Sequence, residues 1–362
     1  IVERTSQTIT SIQEGNIPDR VSWWLSGIEM FRERPVLGFG LSTFRDAYSQ
    51  FRRKDYRTLD GNVQDLITPE AAHNEYLNVA ATQGLFGFIA FIGIIIFAVS
   101  TILKSIRETR SKDDARILTG ILAALTVMLT QLFFSFGVIS TYTITYILLG
   151  VAVAYSDTRT KEIRLKGIKE IIIIGILVII SLAGYITCTE AKADFYYKQA
   201  EKLYSEGEIF NAKQAYLKAI TYKPQEYEYY KIYAQFVLKA SETPFIDEYS
   251  KLDFLNTAEQ NFNHAIAINP YHPSNYYNLG LAQLQIYSMT GQKVFYEKAG
   301  NNIDKAVEIA VNNPLYSYQA AKAYMSLSTP EDNKKAKSFL EKALQIRPHF
   351  RDAEQILLLL GT

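Results

Sequence analysis

The chain has 362 residues, a formal net charge of +1 and one cysteine, with 48% hydrophobic and 21% charged residues. That near-neutral balance gives no electrostatic reason to expect nucleic acid as a partner, and Cys188 alone excludes an internal disulfide. The averages hide two halves: residues 84–189 are mostly apolar and uncharged, whereas residues 190–362 are polar, helical in pattern and rich in tyrosine. No initiator methionine or signal peptide opens the sequence, so Ile1 reads as the start of a fragment with further spans upstream.

In chain order, Val21, Trp24, Leu25, Ile28 and Phe31 fall on one face of a helix, and the adjacent Trp23 and Trp24 suit a membrane interface. Pro35 stops that helix, and Gly38 and Gly40 predict a flexible turn. Leu41, Phe44, Tyr48 and Phe51 mark a second amphipathic helix. Around it Arg32, Arg34, Arg45, Arg52, Arg53, Lys54 and Arg57 face only Glu33, Asp46 and Asp55, an excess of +4. Such a patch suits lipid phosphates or, more blandly, anionic headgroups in general. Thr68 and Pro69 read as a helix cap and first position, with Glu70 in the first turn. That helix would carry His73 and Asn74 and run to Gly84, just above the membrane. His73 is the only histidine before residue 264, so any imidazole chemistry in this half falls to it. By spacing alone a lone histidine is more often structural.

Four apolar stretches follow, at about 84–103, 117–136, 138–155 and 171–187, with a turn near Gly137 separating the second and third. Four such stretches argue against buried core helices. The segments Lys104–Arg116 and Ser156–Glu170 each carry five Lys or Arg, which places both in the cytoplasm. Residues 1–83 and the domain after Glu190 then lie outside. Cys188, near the outer end of the fourth stretch, lacks the spacing of a lipid-attachment box and reads as a packing residue.

Beyond residue 190 the pattern is that of tetratricopeptide repeats (TPRs), with prolines at 224, 270, 314 and 348 each ending a helical segment. Ala212, Tyr216, Ala219 and Pro224 have the spacing of a repeat's second helix, and Ala258, Phe262, Ala265 and Pro270, then Ala336, Leu340, Ala343 and Pro348, repeat it. Gly207 supplies a turn between helices, loops lengthen around Pro244, and an irregular insertion is expected near Gly291. A helix from Arg351 to Leu360 would cap the stack. Tyr196, Tyr197, Tyr204, Tyr229, Tyr230, Tyr276 and Tyr277 either line a concave groove or fill the space between helices. The expected fold is thus all-α: an outer loop over 1–83, a polytopic helical membrane domain over 84–190 and a TPR α-solenoid over 191–362.

The ordered set Arg20-Val21-Ser22-Trp23-Trp24, Arg34-Pro35-Val36-Leu37-Gly38-Phe39-Gly40, Phe44, Ala72-His73-Asn74-Glu75-Tyr76-Leu77 and Gly84-Leu85-Phe86-Gly87 resembles the core of the O-antigen ligase and Wzy-type polymerase family. The resemblance covers about residues 18–155, and several members of that family carry C-terminal TPRs. It implies glycan transfer from an undecaprenyl-pyrophosphate donor to a lipid, glycan or protein acceptor at the outer face of a bacterial inner membrane, with no metal or other cofactor. On this resemblance His73 is the general base on the acceptor hydroxyl and Arg20 holds the donor pyrophosphate. Asn74, Pro35, Gly38 and Gly40 support the motif, and Arg32, Arg34 and Arg45 are further candidates for donor phosphate. The family also uses an arginine on an earlier outer loop, absent from this sequence, so this stretch alone is expected to be inactive. Two rival readings stay open: a protein O-oligosaccharyltransferase of the same family, and a non-catalytic membrane scaffold whose repeats recruit envelope proteins.

Overall fold

A helix bonds its own backbone polar groups, and that makes it the natural state both for apolar segments in a bilayer and for stacked repeats. A computed structural model describes residues 19–53, 68–155, 169–244, 246–327 and 329–361, and among these residues it contains fourteen α-helices and no strand. The chain forms two compact units, residues 1–163 with 311–313, and 164–310 with 314–362.

The first unit holds α1 (Asp19–Glu33), α2 (Phe44–Phe51), α3 (Glu75–Glu108), α4 (Lys112–Phe134) and α5 (Ile139–Tyr155). The buried stripe of α1 is Ser22, Ser26, Gly27 and Met30, not the predicted apolar face, of which Val21 is exposed and Trp24, Leu25, Ile28 and Phe31 are half-buried. Small residues let α2 approach closely: Phe44 lies against Gly27, and the Ser26 hydroxyl donates to the Phe51 carbonyl at 2.8 Å. Leu41, expected on the apolar face of α2, precedes that helix and is exposed.

Helices α3 and α4 are long and apolar enough to cross a membrane, whereas α5 has 17 residues and is shorter. Ile102 of α3 packs with Leu118, Ile121 and Leu125 of α4 and Ala152 of α5. Ser111 caps α4 by accepting from the Asp114 backbone N–H, with Asp113 and Asp114 in the first turn, where the helix dipole favours anions. Ile94, Ile96 and Phe97 of α3 are exposed, a hazard in water but suited to lipid. Residues 156–168, nearly all of the second basic segment, lie outside the described residues, as do Lys54, Asp55 and Arg57 of the cationic patch.

The second unit begins with α6 (Lys169–Ser205), a 37-residue helix about 55 Å long. Its first half is apolar and exposed, as at Leu177, Val178 and Ile179, while Ala193 and Ala200 of its second half are fully buried. The fourth apolar stretch and the first repeat helix are therefore one continuous helix, where the sequence reading divided them at Glu190. Cys188 is exposed on it, not packed as expected. The following helices are α7 (Ile209–Tyr222), α8 (Tyr227–Ser241), α9 (Glu248–Ile268), α10 (Pro273–Thr290), α11 (Lys293–Ile309), α12 (Pro314–Met325), α13 (Pro330–Ile346) and α14 (Arg351–Gly361).

The second half of α6 pairs with α7, α8 with α9, α10 with α11 and α12 with α13, and α14 covers the last pair. This is the TPR solenoid. Ala212, Ala219, Ala258, Ala265, Ala336 and Ala343 are fully buried at the helix contacts, and Tyr216, Phe262 and Leu340 fill the gaps between them. Gly207 makes the first turn with φ 83°. Pro224, Pro270 and Pro348 follow helix ends as expected, but Pro314 opens α12, where its missing N–H costs nothing. Near Gly291 there is no irregular insertion: α10 is simply long, and Gly291 ends it in a left-handed cap. The tyrosines mostly pack. Tyr229 donates to Asp194 at 2.5 Å, Tyr204 meets Phe236 edge-on, Tyr196 stacks on Tyr222 and Tyr277 abuts Tyr316.

Candidate functional site

The HN pair sits in a turn, not a helix. Helix α3 starts at Glu75, and Asn74 caps it with extended backbone while its side chain accepts from the Leu77 N–H at 3.1 Å. The expected start at Thr68 and Pro69 is not seen; residues 68–74 are irregular. Asn74 is an effective cap, and His73 directly before it has φ 52°, which no right-handed helix admits. A non-glycine residue in this region stores strain of about 1–3 kcal/mol, of the kind that clusters at functional sites.

Three segments converge on His73. Its ring lies 4.8 Å from the Trp23 ring and 5.1 Å, edge-on, from Phe136 in the α4–α5 link. Arg20 and Trp23, three apart, share a face of α1, and Arg20 Nη1 donates to the Phe134 carbonyl at 3.2 Å. Burial, and then the Arg20 charge, push the His73 imidazole below its ordinary value, with Glu70 pulling the other way. Burial and the Arg20 charge both favour the neutral imidazole, the state that accepts a proton.

The P-x-x-G-x-G segment is locked, not flexible. Gly84, with φ 65° and ψ −162°, breaks α3, a conformation open essentially to glycine alone. The break frees backbone groups that the turn takes up. Phe39 N–H donates to the Ala81 carbonyl at 3.2 Å, Gly40 N–H to Thr82 at 2.7 Å, and Leu85 N–H to the Pro35 carbonyl at 2.7 Å. Contact is backbone to backbone: a Cβ on Gly38 would lie 2.4 Å from the Thr82 carbonyl carbon, and one on Gly84 2.4 Å from the Val36 oxygen.

Beside the broken helix an open cleft of about 810 Å³ is lined by Arg45, Glu70, Asn78, Gln83, Phe91 and Tyr146, among others. Of the arginine candidates only Arg45 lines it. Arg34 lies over the Phe39 ring at 4.6 Å, where it covers the glycine turn, and Arg32 is exposed in the last turn of α1. Sequence reasoning missed Glu75. This carboxylate is buried at the start of α3 and accepts from the Tyr142 hydroxyl at 2.7 Å and the Gly137 N–H at 3.1 Å. An acidic residue opening an apolar run was the available signal.

Apolar helices long enough to cross a membrane, with a polar motif folded over the broken start of one of them and a TPR unit in the same chain, define a multi-pass membrane protein. Residues 2–92 match the family described as O-Antigen ligase, so the chain carries a domain of that family. The chain is also 26% identical over 103 residues to an "Uncharacterized protein" of Haemophilus influenzae, a match over 28% of this chain and 25% of the relative; it thus spans about a quarter of that relative's length. Among solved structures, the MamA protein is similar at 20% identity over 47% of this chain and 80% of its own, with a TM-score of 0.35. A thermophilic TPR protein in Thermus thermophilus is similar at 17% identity over 51% and 94%, with a TM-score of 0.37.

Proposed function

We propose that the protein transfers a glycan from an undecaprenyl-pyrophosphate donor to an acceptor hydroxyl at the outer face of the bacterial cytoplasmic membrane. His73 takes the hydroxyl proton as the acceptor oxygen attacks the anomeric carbon. The bond from that carbon to the pyrophosphate oxygen breaks, and the lipid pyrophosphate leaves with the electron pair. Arg20 balances the charge that builds on it, a role for which a planar guanidinium is well shaped. The observation that supports this reading most is that the Arg20 charge acts on His73, a residue in the left-handed region whose imidazole is held below its ordinary value, inside the segment that matches the O-antigen ligase family.

Of the remaining arginines we assign a donor phosphate to Arg45 alone, which lines the cleft, although neither Arg20 nor His73 does; Arg32 and Arg34 are assigned no such role. In this reading residues 1–83 and 191–362 lie outside, four apolar segments cross the membrane with α5 as the shortest, and the repeat unit positions an acceptor or a protein partner.

The test is transfer by the full-length protein in nanodiscs, given an undecaprenyl-pyrophosphate-linked glycan and, in parallel, a lipid-core, a glycan and a protein acceptor. Transfer to one of the three supports the reading and names the acceptor class. A well-folded protein that binds the donor yet transfers to none would leave it a scaffold.

A further inference from the structure

We infer that Glu75 is a positioning residue: its carboxylate latches the α4–α5 link so that Phe136 closes one side of His73. The inference rests on the proposed role of His73 for its catalytic meaning, but not for its geometry.

Residues 135–138 join α4 to α5, and two anchors hold this short link. At its start, the Phe134 carbonyl accepts from Arg20 Nη1. In its middle, the Gly137 N–H donates to Glu75 Oε2, while the other oxygen, Oε1, takes the Tyr142 hydroxyl from the first turn of α5. Glu75 lies two residues after His73, at the N-terminus of α3, where the helix dipole favours its charge. Phe136, between the anchors, meets the imidazole edge-on. The fit at Gly137 is close: a Cβ there would sit 2.3 Å from the Tyr142 ring. A buried carboxylate with both oxygens engaged is a directional clamp, because losing either donor leaves acceptor capacity unmet. The motif's histidine and the clamp for its own wall are therefore set by neighbouring residues, and Arg20 serves the link as well as the site.

The test uses full-length protein without other cysteines, Cys188→Ser included, and with Ser135→Cys as reporter. Glu75→Gln keeps size but presents an amide donor to one of the two donors it faces. Its reporter should react with maleimide roughly tenfold faster than in the parent, the loss expected for a hydrogen bond to a charged group. Tyr142→Phe, which removes one bond and keeps the carboxylate, should shift the rate in the same direction by less. In transfer, Glu75→Gln should lower kcat with donor affinity unchanged. With Phe136 withdrawn, water reaches the imidazole, so the acid limb of kcat should move up toward the ordinary histidine range near 6.5. The pH dependence of His73 carbethoxylation should move likewise, and this readout needs no transfer at all. If the wild-type protein transfers nothing while labelling and carbethoxylation respond, the latch stands and the assigned activity fails. Unchanged reporter reactivity in both variants overturns the latch. Should Glu75→Gln fail to fold, Tyr142→Phe alone decides: an unchanged rate refutes the proposal.

Discussion

Replacing Gly84 by alanine separates a flexible glycine turn from a locked one. A Cβ at this position would lie 2.4 Å from the Val36 carbonyl oxygen and 2.5 Å from its carbon, both backbone atoms with little room to give. The backbone at φ 65°, ψ −162° adds about 1–3 kcal/mol of strain for any L side chain. Relief requires the turn to lift away, which breaks the Phe39, Gly40 and Leu85 N–H bonds, each worth about 0.5–1.5 kcal/mol. Gly84→Ala should therefore cost about 3–6 kcal/mol, a large share of the 5–15 kcal/mol that holds a typical fold. Gly93→Ala is the control: it lies in the same helix with nothing within 4 Å of its added carbon, and should be neutral or stabilising by about 0.5–1 kcal/mol. Thermal unfolding in detergent at one fixed scan rate compares them, since the rate matters when unfolding is irreversible. Melting points for the two variants within a degree or two of each other would refute the locked turn.

Other expectations follow from the same geometry. Because burial and Arg20 hold His73 below its ordinary value, kcat should be level above about pH 7 and fall on the acid side, as the base protonates, with a midpoint below the ordinary histidine value near 6.5. Arg20→Gln removes a depressing charge and should raise the acid limb, while Glu70→Gln removes a raising one and should lower it; pH–rate profiles of the three proteins check both signs. In the repeats, Asp332 is buried and accepts from the Tyr296 and Thr329 hydroxyls, so Asp332→Ala should destabilise that unit by about 2–4 kcal/mol and Tyr296→Phe by less, read as melting shifts. Cysteine probes in residues 104–116 should resist an impermeant maleimide added to spheroplasts, and probes in the repeat unit should react; the reverse pattern overturns the proposed sidedness.

The TPR spacing was legible because repeats are local: alanines at fixed offsets need close helix contacts, and they are buried where expected. The apolar stretches were legible by length alone, but their ends were not. The helix expected from Thr68 to Gly84 and the span expected from Gly84 are one helix that starts at Glu75, capped by the Asn74 side chain, and breaks at Gly84. The fourth stretch merged with the first repeat because nothing between Glu190 and Ala193 interrupts helical geometry, and a change of solvent does not end a helix. At the site, the motif order pointed to Arg20 and His73; Trp23, one helical turn from Arg20, lies against the His73 ring, and the Arg20 charge acts on it. The buried stripe of α1 was invisible to hydropathy, because Ser22, Ser26 and Gly27 are selected for size. Glu75 escaped because its partners, Gly137 and Tyr142, lie more than sixty residues away and carry no charge to suggest a pair.

The central claim is that His73 acts on the acceptor and not on the donor. A single-turnover measurement on full-length protein preloaded with lipid-linked glycan isolates that step, with donor binding measured separately on the same samples. His73→Ala should bind donor as the wild type does and transfer roughly 10²–10⁴-fold more slowly. A folded His73→Ala that transfers at near wild-type rate would contradict the account and leave His73 a strained structural residue of the turn.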